Sequence, residues 1–152
     1  MKIEGSFKLK ANQQDAWDYF LSDVTLGSCV PGAEQVKRVD EKTYDCVVKQ
    51  KVGPISAKLK FKAVITEMEA PNHLKVVGQG EDIGKAGTFS LELIVDMKEA
   101  GDGFIEISYF ANVSMVGRIA TFGERIMRAK INSTLEEFIK NLENKFAEFT
   151  KK

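Results

Sequence analysis

Apolar and polar residues alternate with a period of two through most of this chain. Near Gly117 the period changes. Ile3, Gly5, Phe7 and Leu9 alternate with Lys2, Glu4, Ser6, Lys8 and Lys10, which predicts a half-buried strand. Asn12 is placed to cap a short aromatic helix through Ala16, Trp17, Tyr19, Phe20 and Leu21, with Asp15 in its first turn. A second short helical turn is predicted near Asp23 to Leu26. Pro31-Gly32 then marks a turn. From Ala33 onward the pattern predicts strands: Gln35–Asp40, Thr43–Val52, Ile55–Ile65, Leu74–Gly80, Phe89–Met97 and Ile105–Met115. The third of these six, fully extended, would run roughly 37 Å, so it must curve in so small a domain. Gly53-Pro54, Ala70-Pro71-Asn72, the glycine-bearing stretch 81–87 and Ala100-Gly101-Asp102-Gly103 separate the strands.

Beyond Gly117 the spacing becomes helical. Ile119, Phe122 and Ile126 follow one track, and Ile131, Leu135, Phe138, Leu142, Phe146 and Phe149 a shifted one. A helix over 117–149 would be roughly 48 Å long and needs an apolar platform. Short turns make the strands an antiparallel meander. The predicted fold is α+β: a curved seven-stranded sheet gripping one long C-terminal helix (a helix-grip), with two short helices after the first strand. The shift in the stripe is either the drift of a 3.6-residue period or a change from cavity-facing to tightly packed. Gly117 and Gly123 would widen space in the first half, and Met115 and Met127 would give it adaptable walls.

Length narrows this little: 152 residues suit a single domain spanning 1–152. Charge narrows it more. Lysine and arginine total 22 against 22 aspartate and glutamate, so no nucleic-acid partner is implied. The start has no apolar signal segment, and no apolar run is long enough to span a bilayer, which points to a cytoplasmic protein. Cys29 and Cys46 read as free thiols, with a disulfide left open.

Candidate chemistry is sparse. His73, the single histidine, sits after a turn on the wet face and reads as solvated. No metal-ligand cluster is present in the sequence, and no cofactor is implied. Gly84-Lys85-Ala86-Gly87 lacks the spacing and the Lys-Ser/Thr ending of a phosphate loop. On these strand phases Asp45, Glu92, Asp96 and Glu106 face water, and Glu136 and Glu137 are solvated helix charges. The inner face is almost uncharged, with Tyr44, Gln50, Tyr109 and the Cys46 thiol as its polar exceptions. Such a wall suits a lipophilic ligand. The candidate lining is Tyr44, Cys46, Phe61, Val76, Phe89, Leu91, Tyr109, Phe122 and Ile126. Arg118, Arg125 and Arg128 lie near the helix start, where the macrodipole disfavours cations. They are either solvated or an anion-facing or membrane-facing patch.

Three motifs add a resemblance. Cys29-Val30-Pro31-Gly32-Ala33, Val52-Gly53-Pro54-Ile55-Ser56-Ala57, and Gly117-Arg118-Ile119-Ala120 with Phe122-Gly123-Glu124-Arg125 resemble, in order, signatures of the carbon monoxide dehydrogenase CoxG family. That family falls in the START-like (SRPBCC) helix-grip superfamily. The resemblance implies an apolar cavity for a hydrophobic ligand such as a quinone or lipid. It also implies an association with a molybdenum-dependent carbon monoxide dehydrogenase-type enzyme, and at most peripheral membrane contact. The expected function is therefore binding rather than catalysis. The rival is an assembly or recruitment protein acting through its outer surface without a ligand. An enzyme is the weakest alternative, for want of an inward acid–base pair.

Overall fold

The structure, a computed structural model, describes residues 1–150, with side chains through Ala147. The elements run β1 (Lys2–Lys10), α1 (Gln13–Leu21), α2 (Asp23–Cys29), β2 (Ala33–Arg38), β3 (Thr43–Val52), β4 (Ile55–Glu69), β5 (His73–Asp82), β6 (Thr88–Gly101) and β7 (Phe104–Val116). A 3-10 turn (Arg118–Phe122) follows, and then α3 (Gly123–Thr150). All neighbouring strands are antiparallel, in the order β1-β7-β6-β5-β4-β3-β2. This is the expected curved sheet with one long C-terminal helix.

Local chemistry accounts for the short helices. The Asn12 side chain accepts from the Gln14 and Asp15 amides and caps α1. Ser22 closes α1 through its backbone N–H to the Tyr19 carbonyl, and its hydroxyl oxygen caps α2 at the Thr25 amide. One residue thus ends one helix and starts the next.

The long helix departs from expectation at its start. Gly117 and Gly123 both take positive φ, 104° and 84°, and bracket the 3-10 turn. The Ile119 amide donates to the Ala86 carbonyl at 2.8 Å, which ties that turn to the β5–β6 connection. The apolar track therefore breaks at Gly123 because the backbone leaves helical geometry there. Ile126 does not continue the track of Ile119 and Phe122: it is 50% exposed, and Met127 is buried in its place. From Ile131 the predicted stripe faces inward, with Leu142 and Phe146 fully covered. Phe149 lies outside the described side chains.

Strands outrun their predicted ends, β6 running on to Gly101 instead of Met97. β4 continues to Glu69 past an irregularity between Ile65 and Glu67. β5 continues to Asp82, so what reads as a connection from Glu81 is partly strand.

The buried side chains form three clusters. The largest joins Leu9, Trp17, Tyr44, Ile65, Ile105, Ile107 and Phe146 at the end of the sheet covered by α1. A second, at the opposite end, joins Val52, Ala57, Ile119 and Met127. A third, along β1 and β7, joins Ile3, Ala111 and Val113, with Ile131 and Leu135 against it. Three further contacts fix α3 across this frame. Arg128 donates to the Lys2 carbonyl at 2.6 Å, Asn141 donates to the Cys29 carbonyl at 2.8 Å, and the Phe146 ring meets Tyr19 at 4.9 Å.

Candidate functional site: an apolar space between sheet and helix

The middle of the concave face lies between these clusters and is less well covered. Leu59, Phe61 and Ala63 of β4, Val76 of β5, and Phe89, Leu91 and Leu93 of β6 are all only half-buried. Opposite them on α3, Ile131, Leu135, Phe138 and Ile139 are half-buried too. These strands are the centre of the sheet, and their inward side chains pack against the edges of the buried clusters while keeping part of their surface exposed. Apolar side chains in that position favour any occupant that removes them from water.

Glycine shapes this wall. Gly80 pairs with Phe61 on one side and Phe89 on the other. A Cβ there would collide with Phe61 and the Lys60 carbonyl. The two rings close over the gap, 5.4 Å apart at 73°. Gly78, two residues earlier, has ordinary room beside Leu91. The paired inward glycines are thus one position of close approach and one of ordinary contact.

Most of the polar groups of this interior are already used. The Tyr44 hydroxyl donates to the Leu21 carbonyl at 2.6 Å, and burial raises its pKa. Gln50 donates to the Pro31 carbonyl at 2.7 Å. Both cysteines are free and buried, and burial pushes the Cys46 thiol up to about 11, which leaves it un-ionised and inert at neutral pH. The Tyr109 ring lies over Gly5, and its hydroxyl has no hydrogen-bond partner among the described residues.

The candidate lining residues therefore separate. Phe61, Val76, Phe89, Leu91 and Tyr109 share the half-buried wall. Tyr44 and Cys46 belong to the packed end. Phe122 stands at the opposite tip, its ring covering Gly53 at the β3–β4 turn. Ile126 points to solvent.

Three elements meet at that tip. Asp82, next on the inner face after Gly80, is buried. Its carboxylate accepts the Lys58 amide at 2.7 Å and the Ala86 amide at 2.9 Å. Those bonds, the Ala86 one foremost, hold its carboxyl below the usual carboxylate range, aided by Arg118. Gly87 and Gly117 pack backbone to backbone. An open cleft of about 440 Å³ lies between Pro54, Ile55, Ser56, Asp82, Gly84, Arg118 and Phe122. Arg118 and Arg125 are exposed. Arg128 is engaged with the Lys2 carbonyl and with Glu124 at 3.0 Å.

The three sequence motifs acquire physical meaning here. Gly32 takes positive φ where a Cβ would strike the Lys49 carbonyl. Gly53 admits the Phe122 ring, and Ala57 and Ile119 are buried together. They are positions of close approach rather than of chemistry.

His73 lies on the convex face and is bridged rather than free. Its Nδ1 is 2.6 Å from Asp96 and its Nε2 is 3.1 Å from Glu67, and the two hydrogen bonds raise its pKa. Of the outward carboxylates, Glu92 pairs with Lys75 and Glu106 with Lys98. Among the described residues, no group of three or more His, Cys, Asp or Glu is arranged to hold a metal ion.

Two inward charges escape a reading of the sequence. Asp82 is one; carrying the alternation Leu74, Val76, Gly78, Gly80 one step further would have placed it. Arg38 is the other. It lies opposite Tyr44, with its guanidinium 5.6 Å from the ring centre, and it donates to the Glu41 carbonyl. Alternation from Val36 would have placed it on that face.

Comparison with known proteins agrees with this architecture. Residues 5–147 match the model of the carbon monoxide dehydrogenase CoxG family, and the chain belongs to that family. No curated protein matches the sequence. Among solved structures, a conserved protein from Geobacillus kaustophilus superposes with a TM-score of 0.90 at 20% identity, over 97% of this chain and 96% of that one. A START superfamily protein from Mycobacterium smegmatis superposes with a TM-score of 0.75 at 10% identity, over 97% of this chain and 98% of that one. A protein from Chromobacterium violaceum does so at 0.71 and 12% identity, over 95% and 96%. At such identities the likeness speaks to the fold.

Proposed function

From the family and the half-covered apolar interior together, we propose that this protein carries a lipophilic small molecule between its sheet and α3. An isoprenoid quinone or a lipid fits the wall, with Tyr109 as hydrogen-bond donor. The carrier is a single-domain cytoplasmic protein, accessory to a carbon monoxide dehydrogenase-type enzyme. The observation that carries the reading is the run of half-buried Phe61, Val76, Phe89, Leu91 and Leu93 at the centre of the sheet, flanked by fully buried clusters. At about 25 cal/mol for each Å² of apolar surface removed from water, covering a few such side chains and a flat ligand suffices for micromolar binding.

Native mass spectrometry of protein purified from its own organism, followed by extraction, is the direct test: a retained hydrophobe is expected. Filling variants supply the control. Ala63→Phe with Val76→Phe should abolish uptake of an isoprenoid naphthoquinone and leave the melting temperature nearly unchanged. Loss of stability by about 1–3 kcal/mol would mean that the interior is already full, and would overturn the reading.

A second reading has its own observation. Lys49 faces Lys58 directly across β3 and β4, where Lys58 pairs with Glu34 at 3.3 Å, and Lys51, Lys60 and Lys62 share that convex surface. Like charges directly opposite cost stability and suit an acidic protein partner. Recruitment through this face predicts that Lys60→Glu with Lys62→Glu abolishes co-purification with the dehydrogenase while ligand content stays unchanged.

A further inference from the structure

The sheet has two edges, and they are finished differently. β2, at one edge, is six residues long, and its register shifts between Ala33 and Gln35. The α2 helix lies against it, and Asp23 accepts the Arg38 amide at 3.1 Å. A short, irregular, covered edge resists a further strand. β1, at the other edge, is nine residues long and pairs with β7 in unbroken register from Lys2 to Lys10.

Alternation fixes which backbone groups of β1 are open. Met1 and Val113 exchange backbone hydrogen bonds, and the Ala11 amide donates to the Gly103 carbonyl at 3.0 Å, so the odd-numbered residues face β7. The even-numbered residues point away from it. Arg128 holds the Lys2 carbonyl from that side. Among the described residues, the outward N–H and C=O groups of Glu4, Ser6, Lys8 and Lys10 have no hydrogen-bond partner. Such a row is a template for another strand.

The exposed side chains of this edge are complementary to themselves. Glu4, Ser6, Lys8 and Lys10 are exposed on the convex face. Phe7 is half-buried on the concave face, 6.4 Å from the Tyr109 ring. A two-fold axis at Phe7 sets Glu4 opposite Lys10 of a second copy, and Ser6 opposite its Lys8. Both pairs are of the kind that exchanges two backbone hydrogen bonds. Among the described residues neither Glu4 nor Lys10 has an ion-pair partner, and this register opposes no like charges. Phe7 meets its own copy across the axis and loses its remaining exposure there. An axis at Ser6 would instead set Lys2 against Lys10 of the copy, at the carbonyl that Arg128 already holds.

We propose that two copies of this protein join β1 to β1 about a two-fold axis at Phe7, so that one antiparallel sheet runs through both. The pairing stands on the sheet edge alone and does not depend on the carrier reading above.

Sedimentation equilibrium of the full chain tests it, with a concentration-dependent dimer expected. Ser6→Pro removes an outward N–H and spares the bonds to β7, so it should abolish the dimer and leave the melting temperature nearly unchanged. Glu4→Lys alone, or Lys10→Glu alone, opposes like charges at both symmetry-related pairs and should weaken association about tenfold. Glu4→Lys with Lys10→Glu should restore it, a rescue that damage to the fold does not produce. If Ser6→Pro lowers the melting temperature, this charge exchange decides by itself. A chain that stays monomeric at every concentration would leave the edge to an extended segment of another protein and overturn the proposal. A dimer that survives Ser6→Pro, or a double charge variant no tighter than the single ones, would overturn it too. Ala63→Phe with Val76→Phe, which fills the interior, should leave the dimer intact while it eliminates ligand uptake.

Discussion

The two ends of the sheet are built from the same strands to opposite effect. At the end under α1, Trp17, Ile105, Ile107 and Phe146 are buried together, and the surrounding turns are acidic. At the other end a 3-10 turn held between two positive-φ glycines covers a smaller cluster, and the surface is basic and partly apolar. Between them the wall is only half-buried. One end is sealed; the other carries an open cleft. A domain of this size has surface to spare for such a division, because one well-packed cluster can hold the sheet together.

The largest effect should come from breaking the packed end. Ile107→Ala is expected to cost about 2–5 kcal/mol in urea denaturation, whereas Leu93→Ala in the half-buried wall should cost less than half as much. Equal costs would erase the contrast between end and middle.

At the tip, Asp82→Asn leaves one acceptor oxygen for two amides and should cost roughly 1.5–3 kcal/mol. Its pH signature has a definite sign. The folded-state pKa is lowered, so the contribution is present above the unfolded value near 4 and is lost as pH falls through the folded value. The variant should flatten that acid limb, and an unchanged acid limb would assign the stabilisation elsewhere.

Gly32→Ala combines positive φ with a blocked Cβ and should cost about 2 kcal/mol, read by thermal melting. Gly123→Ala also has positive φ but open space around it, so about 1 kcal/mol is expected. The difference between the two isolates close approach from backbone strain.

The smallest effect concerns His73. Its folded-state pKa is raised, so its contribution is complete below the unfolded value near 6.5 and is lost as pH rises through the folded value. Its partners Glu67 and Asp96 are more than half exposed, so solvent screens the bridge. His73→Gln should remove a slight decline in stability on the alkaline side of 6.5 and change nothing at the tip.

Much of this was legible along the chain. Alternation placed the strands because one face of an antiparallel sheet is buried and the other wet, as β4 shows with Leu59 and Phe61 against Lys58, Lys60 and Lys62. Asn12 and the helical stripe from Ile131 onward were equally plain. Ile126 was misplaced because hydrophobic spacing assumes an unbroken helix, and the φ reversal at Gly123 resets the phase. Asp82 was missed because a run of glycines looks like a loop, while the strand in fact ends on a buried carboxylate that ties down its own turn.

The sequence alone determined the antiparallel meander, the long helix and the apolar character of the inner face, since periodicity and turn residues are local properties. Tertiary structure decided which inner residues are sealed and which are half-buried, that the Arg128 side chain clamps β1 while Arg118 and Arg125 stay exposed, and that the motifs around Gly53 and Gly117 meet at one tip. Those outcomes depend on how closely separate backbones approach, and no local pattern encodes that distance.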